Sequence, residues 1–400
     1  MTSSGREKAA RRWPRGSSAS ASAAVRRSTV SSPPSPHGKL AALRGPVRPD
    51  PRSLTSTLTS MSTGGSAPPP SPPHPCARRC SRLVVVLPIG GSMSTAFVFP
   101  GQGSHRAGAL ASWSGHPAFA IVDEFNVALG RDVVELSHDP SAGDRTADAQ
   151  PAIMAASLVA WRALVDAGVR PDVVAGHSLG EYTAAVAAGA LDVATGTRVV
   201  AARGRAMGEA CRQRPGTMAA VLKLSPDAVE VLVDAIDGLV IANDNAPGQI
   251  VVAGDPDAVA AVRERAREAG GRALPLGVEG AFHSPAMAPA VEPVRATLDV
   301  SSVTDPSIPL VSGATAREID RAQQLAHALV AGILSPVRWR EVQQRLAELG
   351  VTELVEVGPG GVLAGLAKRT VPDLTVHTVA TPDDLGAVVA SLAQHATAGR

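Results

Sequence analysis

The chain has 400 residues, 44% of them hydrophobic, and a formal net charge of +2, which is ample apolar material for one large core or two smaller ones. The charge is unevenly spread: residues 1–92 hold 14 of the 38 Lys and Arg but only two acids, Glu7 and Asp50, leaving 24 basic against 34 acidic groups after them. An acidic body with 2% aromatic residues argues against nucleic acid or an anionic membrane as partner, and the longest aliphatic run, Leu83–Leu87, is too short to cross a bilayer.

Residues 1–92 are rich in Ser, Pro, Arg and Ala, and read as a disordered low-complexity extension that cannot bury enough surface to offset its ordering entropy. Such an Arg- and Ser-rich segment has the composition of a mitochondrial or plastid transit peptide. The favoured alternative is an upstream extension without function, with Met93 starting a cytoplasmic protein; Arg outnumbers Lys 34 to 4, as GC-rich coding would produce. Cys76 and Cys80 with His74 lack a second ligand pair, so no metal is expected. Cys211 is alone in the folded part, so no disulfide framework is implied.

The folded part opens with a strand, Thr95–Phe99, and the Gly-rich turn 100–104, which lacks the Gly-Lys-Ser/Thr of a phosphate loop. Gln150-Pro151 opens an apolar helix, Ala152–Val165. The apolar run Val173–Ala175 then enters Gly176-His177-Ser178-Leu179-Gly180, followed by an alanine-rich helix. Strand, sharp turn and helix are the context in which G-x-S-x-G marks a nucleophile elbow, with the serine oxygen at a helix N-terminus. The competing reading is a serine capping an ordinary βα turn. Over Ala194–Arg212, Val199, Arg203, Met207 and Cys211 recur every four residues. Arg203 therefore falls on the apolar stripe of a helix, where it either snorkels or awaits a ligand carboxylate.

Strands at 218–223, 239–243, 249–253 and 272–276 alternate with helices at 225–236 and 255–268. This βαββαβ order is ferredoxin-like and predicts a small domain, residues 216–279, inserted into a larger α/β domain of residues 93–215 and 280–385. The chain returns through Phe282-His283-Ser284, then a strand at 308–312, a helix at 339–349, a strand at 354–357 and a helix at 362–369. The turn 358–361 is read as packing rather than phosphate binding, and residues 386–400 as a C-terminal tail.

Taken together, Phe99-Pro100-Gly101-Gln102-Gly103-Ser104, Gly176-His177-Ser178-Leu179-Gly180-Glu181, Arg203-Gly204, Phe282-His283-Ser284 and Glu356-Val357-Gly358-Pro359-Gly360 resemble, in order and spacing, the malonyl-CoA:acyl carrier protein transacylases and the acyltransferase domains of polyketide synthases. The resemblance spans residues 95–380. It implies a hydrolase-like parallel-sheet domain with the inserted ferredoxin-like domain, Ser178 as nucleophile and His283 as its base. It further implies Arg203 as partner of a malonyl carboxylate, backbone N–H groups of Gln102 and Leu179 as oxyanion donors, and Gln150 and Asn245 near the substrate. It places Arg338 at the carbonyl that orients the histidine, and Gly313 where an Asn is common. Phe282 ahead of His283 is the pattern associated with malonyl over methylmalonyl groups. The implied protein is a monomer that uses malonyl-CoA and acyl carrier protein, without metal or redox cofactor, in fatty-acid synthesis or in loading a polyketide carrier. A serine esterase and a non-catalytic carrier-binding module are the other readings; the esterase would place an Asp between Ser and His in the sequence.

Overall fold

The structure is a computed structural model that describes residues 94–398 apart from Ser301, with side chains from 95 to 394. The extension, its transit-peptide reading and the His74, Cys76 and Cys80 group lie outside the described residues. The chain runs through β1 (Ser94–Phe99), α1 (Ile121–Leu129), α2 (Val133–His138), α3 (Thr146–Asp166), β2 (Val173–Gly176), α4 (Gly180–Ala187) and α5 (Val193–Gln213). There follow β3 (Thr217–Leu222), α6 (Pro226–Asp234), β4 (Val240–Ala246), β5 (Gln249–Gly254), α7 (Pro256–Glu268) and β6 (Arg272–Pro275). The return leg holds α8 (Val291–Asp299), β7 (Leu310–Val311), β8 (Glu318–Ile319), α9 (Ala322–Ala331), α10 (Trp339–Glu348), β9 (Val351–Val357), α11 (Val362–Thr370), β10 (Thr375–Val379) and α12 (Pro382–Ala398).

The larger sheet has the order β10-β9-β1-β2-β7-β8, parallel except for β8. β1 lies inside it, and Ala96, Phe97, Val98 and Phe99 are all fully buried, as a strand covered on both faces requires. Alternation then sorts its side chains. Phe97 and Phe99 join a core with Leu158, Val159 and Val200, whereas Ala96 and Val98 join a second core with Trp339, Val342 and Leu363. The smaller sheet is antiparallel, in the order β4-β5-β3-β6, with the ferredoxin-like βαββαβ succession. Ala219, Val221 and Val252 face Val229, Val259 and Val262 of its own two helices. The opposite face, with Met218, Ala220 and Val251, belongs to the main core. That division leaves one side of the small sheet available to wall a cleft.

Three expectations need correction. α3 begins at Thr146, not after Pro151, so the proline lies inside the helix. Its ring costs one backbone bond there, while the first turn is held by Arg145 O, which accepts from Asp148 N and Ala149 N. β4 continues past Asn243 to Ala246 through two register shifts, because Asp244 N donates to Val337 O and gives the strand a partner in the return leg. Residues 386–400 were expected as a tail, yet α12 reaches Ala398. Leu385, Val388, Val389 and Leu392 recur on one helical face and pack on the main core.

Candidate active site

β2 delivers the chain to Ser178 and α4 carries it away. Ser178 has φ 53°, in the left-handed region where a residue with a Cβ is strained by roughly 1–2 kcal/mol. The flanking glycines serve a different need, since neither carries a positive φ. A Cβ on Gly176 would lie 2.0 Å from the carbonyl carbon of Gly180, and one on Gly180 would lie 2.0 Å from Phe99 O. The glycines let the turn close against β1, and the serine takes the strain.

Ser178 Oγ lies 2.8 Å from His283 Nε2. His283 Nδ1 lies 2.9 Å from both Gly332 O and Ser335 O. Carbonyls only accept, so Nδ1 carries the proton and Nε2 is left to accept from the serine hydroxyl. Those carbonyls come from the end of α9 and the turn after it, where backbone oxygens lack helical partners. No carboxylate takes that place, in contrast to the triad of an esterase. Arg338 does not supply the carbonyl either: its oxygen is committed to Val342 N at the start of α10, and its guanidinium pairs with Glu341. Burial, followed by the positive charge of Arg203, pushes the His283 imidazole down to about 3. His283 also has a positive φ, 57°, so both members of the pair sit in strained backbone.

Arg203 is 2% exposed on α5, on the stripe with Val199, Met207 and Cys211. Its Nη2 donates to Ser178 Oγ at 3.0 Å and its Nη1 to Gln150 Oε1 at 2.8 Å. The Tyr182 ring lies 5.2 Å from its central carbon, a cation–π contact. Among the described residues no Asp or Glu comes within ion-pair distance of the guanidinium, and Nε has no hydrogen-bond partner. A buried cation so placed is costly unless an anion arrives.

Gln150 is wholly buried and reaches the site through Arg203. Gln102 opens a one-turn 3-10 helix, and Leu179 immediately precedes α4. Backbone N–H groups at such helix starts have no intrahelical acceptor and can receive an oxyanion. The Gln102 side chain donates to Thr146 Oγ1 at 3.1 Å. Asn245 accepts at Oδ1 from His177 Nε2, at 2.9 Å. Gln102, His177, Ser178, Arg203, Asn245 and His283 line a cavity of about 230 Å³ with Met207, Met218, Val251 and Phe282 as its apolar wall. Sequence reasoning did not single out His177 or Tyr182. Tyr182 could have been found from its spacing, one helical turn beyond Ser178. Glu181, buried beside the elbow, is pushed up to about 7 by burial.

An elbow serine hydrogen-bonded to a neutral histidine in a parallel-sheet domain is apparatus for acyl transfer. A family model described as the acyl transferase domain matches residues 96–398. A malonyl CoA-acyl carrier protein transacylase of Synechocystis is 36% identical over 301 residues, covering 74% of this chain and all of that one. The crystal structure of an acyl-carrier-protein S-malonyltransferase from Burkholderia pseudomallei superposes with a TM-score of 0.71 at 38% identity, over 74% of this chain and 100% of that chain. A malonyl-transacylase solved with a type II PKS acyl-carrier protein is similar at 34% identity and TM-score 0.71, over 74% and 99% of the two chains. The chain belongs to the acyl transferase domain family.

Proposed function

We propose that the chain moves a malonyl group from malonyl-CoA to the pantetheine thiol of acyl carrier protein through a malonyl ester of Ser178. The observation that carries this reading is that one serine oxygen is hydrogen-bonded both to a neutral imidazole and to a buried guanidinium with no carboxylate of the described residues within ion-pair distance. His283 Nε2 takes the serine proton as Oγ attacks the thioester carbonyl. The N–H groups of Gln102 and Leu179 hold the resulting oxyanion. As the tetrahedral adduct collapses, the C–S bond breaks and CoA leaves as a thiol with the proton from His283. The carrier thiol then gives its proton to His283 and attacks the ester, and the serine recovers its hydrogen. A thioester is already activated, so the reaction calls for no metal or redox cofactor.

Arg203 Nη2 donates to the nucleophile itself. A malonyl carboxylate on the guanidinium fork draws that donor away and frees the serine lone pair, so substrate binding and nucleophile release coincide. Asn245 and Gln150 support this end of the cavity. Incubation with malonyl-CoA alone should leave a stable adduct of roughly +86 Da on Ser178, as expected for acylation of a serine oxygen. Peptide mass spectrometry reads it, and absence of the adduct would reject the proposal.

The low imidazole value has a pH consequence. The ratio kcat/KM follows the free enzyme, in which His283 stays neutral and basic well below pH 6.5. Activity measured this way should therefore hold from pH 7 down to about pH 5, where a histidine of ordinary pKa would lose more than tenfold. Protonation of Glu181 over that interval strengthens the pull of Arg203 on a carboxylate, so it produces no acid loss. A tenfold fall between pH 7 and pH 5 would contradict this account.

The carrier serves fatty-acid synthesis in this reading. The relative solved with a PKS carrier keeps a polyketide carrier as the second reading, and competition between the two carriers for the labelled malonyl-enzyme separates them. No helix among the described residues is long and apolar enough to cross a membrane. We place the protein in the cytoplasm as a monomer.

A further inference from the structure

Glu279 lies on the segment that leaves the small sheet, four residues before His283. Its Oε2 accepts from Thr146 N at 2.8 Å, the first residue of α3. Arg145, the residue preceding that helix, offers no side-chain cap, so a carboxylate from far along the chain fills the capping place and meets the positive helix end. The same Thr146, wholly buried, accepts at Oγ1 from the Gln102 side chain. The carboxylate also faces α5, where a Cβ on Gly208 would lie 3.7 Å from Glu279 Oε1, at van der Waals contact. One acid thus joins the segment that brings in the histidine, the start of α3 and the loop that presents the oxyanion donor.

We propose that Glu279 is a positioning residue, which holds the Gln102 loop in register with His283 through Thr146. The proposal rests on the acyl-transfer reading of Gln102 and His283. Its energetic leverage comes from geometry, because a misplacement of about 1 Å at a reacting centre can cost a hundredfold. A mere helix cap would act on stability and leave the folded enzyme's turnover unchanged.

Glu279→Ala should lower kcat for malonyl transfer about tenfold or more, with KM for malonyl-CoA within about threefold. Glu279→Gln keeps an oxygen acceptor and should recover most of the lost rate. Thr146→Val removes the Gln102 contact, and combined with Glu279→Ala it should cost little more than either change alone, since both break one path. Rates are taken per folded molecule, with thermal unfolding followed in parallel. Turnover of Glu279→Ala within twofold of wild type, no recovery in Glu279→Gln, or fully additive losses would each overturn the proposal. If wild-type protein forms no malonyl adduct on Ser178, the acyl-transfer reading has failed instead.

Discussion

His283→Asn is expected to lower kcat/KM for malonyl transfer about a thousandfold while leaving the protein folded, a loss within the usual range for removing a general base. The choice of asparagine separates the two jobs of the imidazole. Its amide can still donate toward Gly332 O and Ser335 O, which now receive Nδ1. Asparagine also tolerates the left-handed backbone found at position 283 better than most residues. What vanishes is Nε2, the only imidazole nitrogen facing Ser178 Oγ in this site. His177 cannot substitute, because its Nε2 is bonded to Asn245. Rapid-mixing measurement of CoA release gives the acylation rate directly, and a loss of less than tenfold would mean that another group accepts the serine proton.

Arg203→Ala should cost malonyl transfer at least a hundredfold and abolish the preference for malonyl over acetyl groups. Removing one member of a buried ion pair costs about 3–5 kcal/mol, which corresponds to two to three and a half powers of ten. In wild type an acetyl group leaves the guanidinium without an anion in a place where burial already disfavours its charge. In the variant neither acyl group finds a partner, so discrimination disappears. Arg203→Lys should recover little, since a single ammonium cannot reach Gln150, Ser178 and a carboxylate with the geometry of a planar fork. Transfer of radiolabelled malonyl and acetyl groups measures both effects, and an unchanged malonyl preference would remove Arg203 from the role.

Local pattern revealed those parts of the site that sit on regular elements. The four-residue recurrence from Val199 to Cys211 placed Arg203 on the inner face of α5, where it lies. The G-x-S-x-G context located Ser178 and the start of α4. Long-range partners left no such trace. Nothing in the composition of residues 332–335 marks two carbonyls as the seat of an imidazole, which is why Arg338 was placed there from the resemblance. The link from Glu279 to Thr146 spans 133 positions and depends on how two distant segments meet. Boundaries failed where tertiary contacts overrode local preference: Pro151 suggested a helix start, but the helix had already begun. α12 carries its apolar face in only four larger side chains, Leu385, Val388, Val389 and Leu392, and its burial became visible only against the main core.

The points where the chain leaves and re-enters the larger domain lie side by side. A Cβ on Gly216 would come within 2.7 Å of the Ala281 Cβ, so the outgoing and incoming segments touch at the root of the small sheet. Neighbouring β2 and β7 in the larger sheet pair directly, whatever lies between them in the chain. Beyond that crossing the small lobe is clamped to the return leg: Asp244 N donates to Val337 O, Val337 N to Ala242 O, and Arg340 pairs with Asp244. A change in the small sheet is therefore felt at the elbow, because Asn245 of β4 holds His177, the residue before the nucleophile.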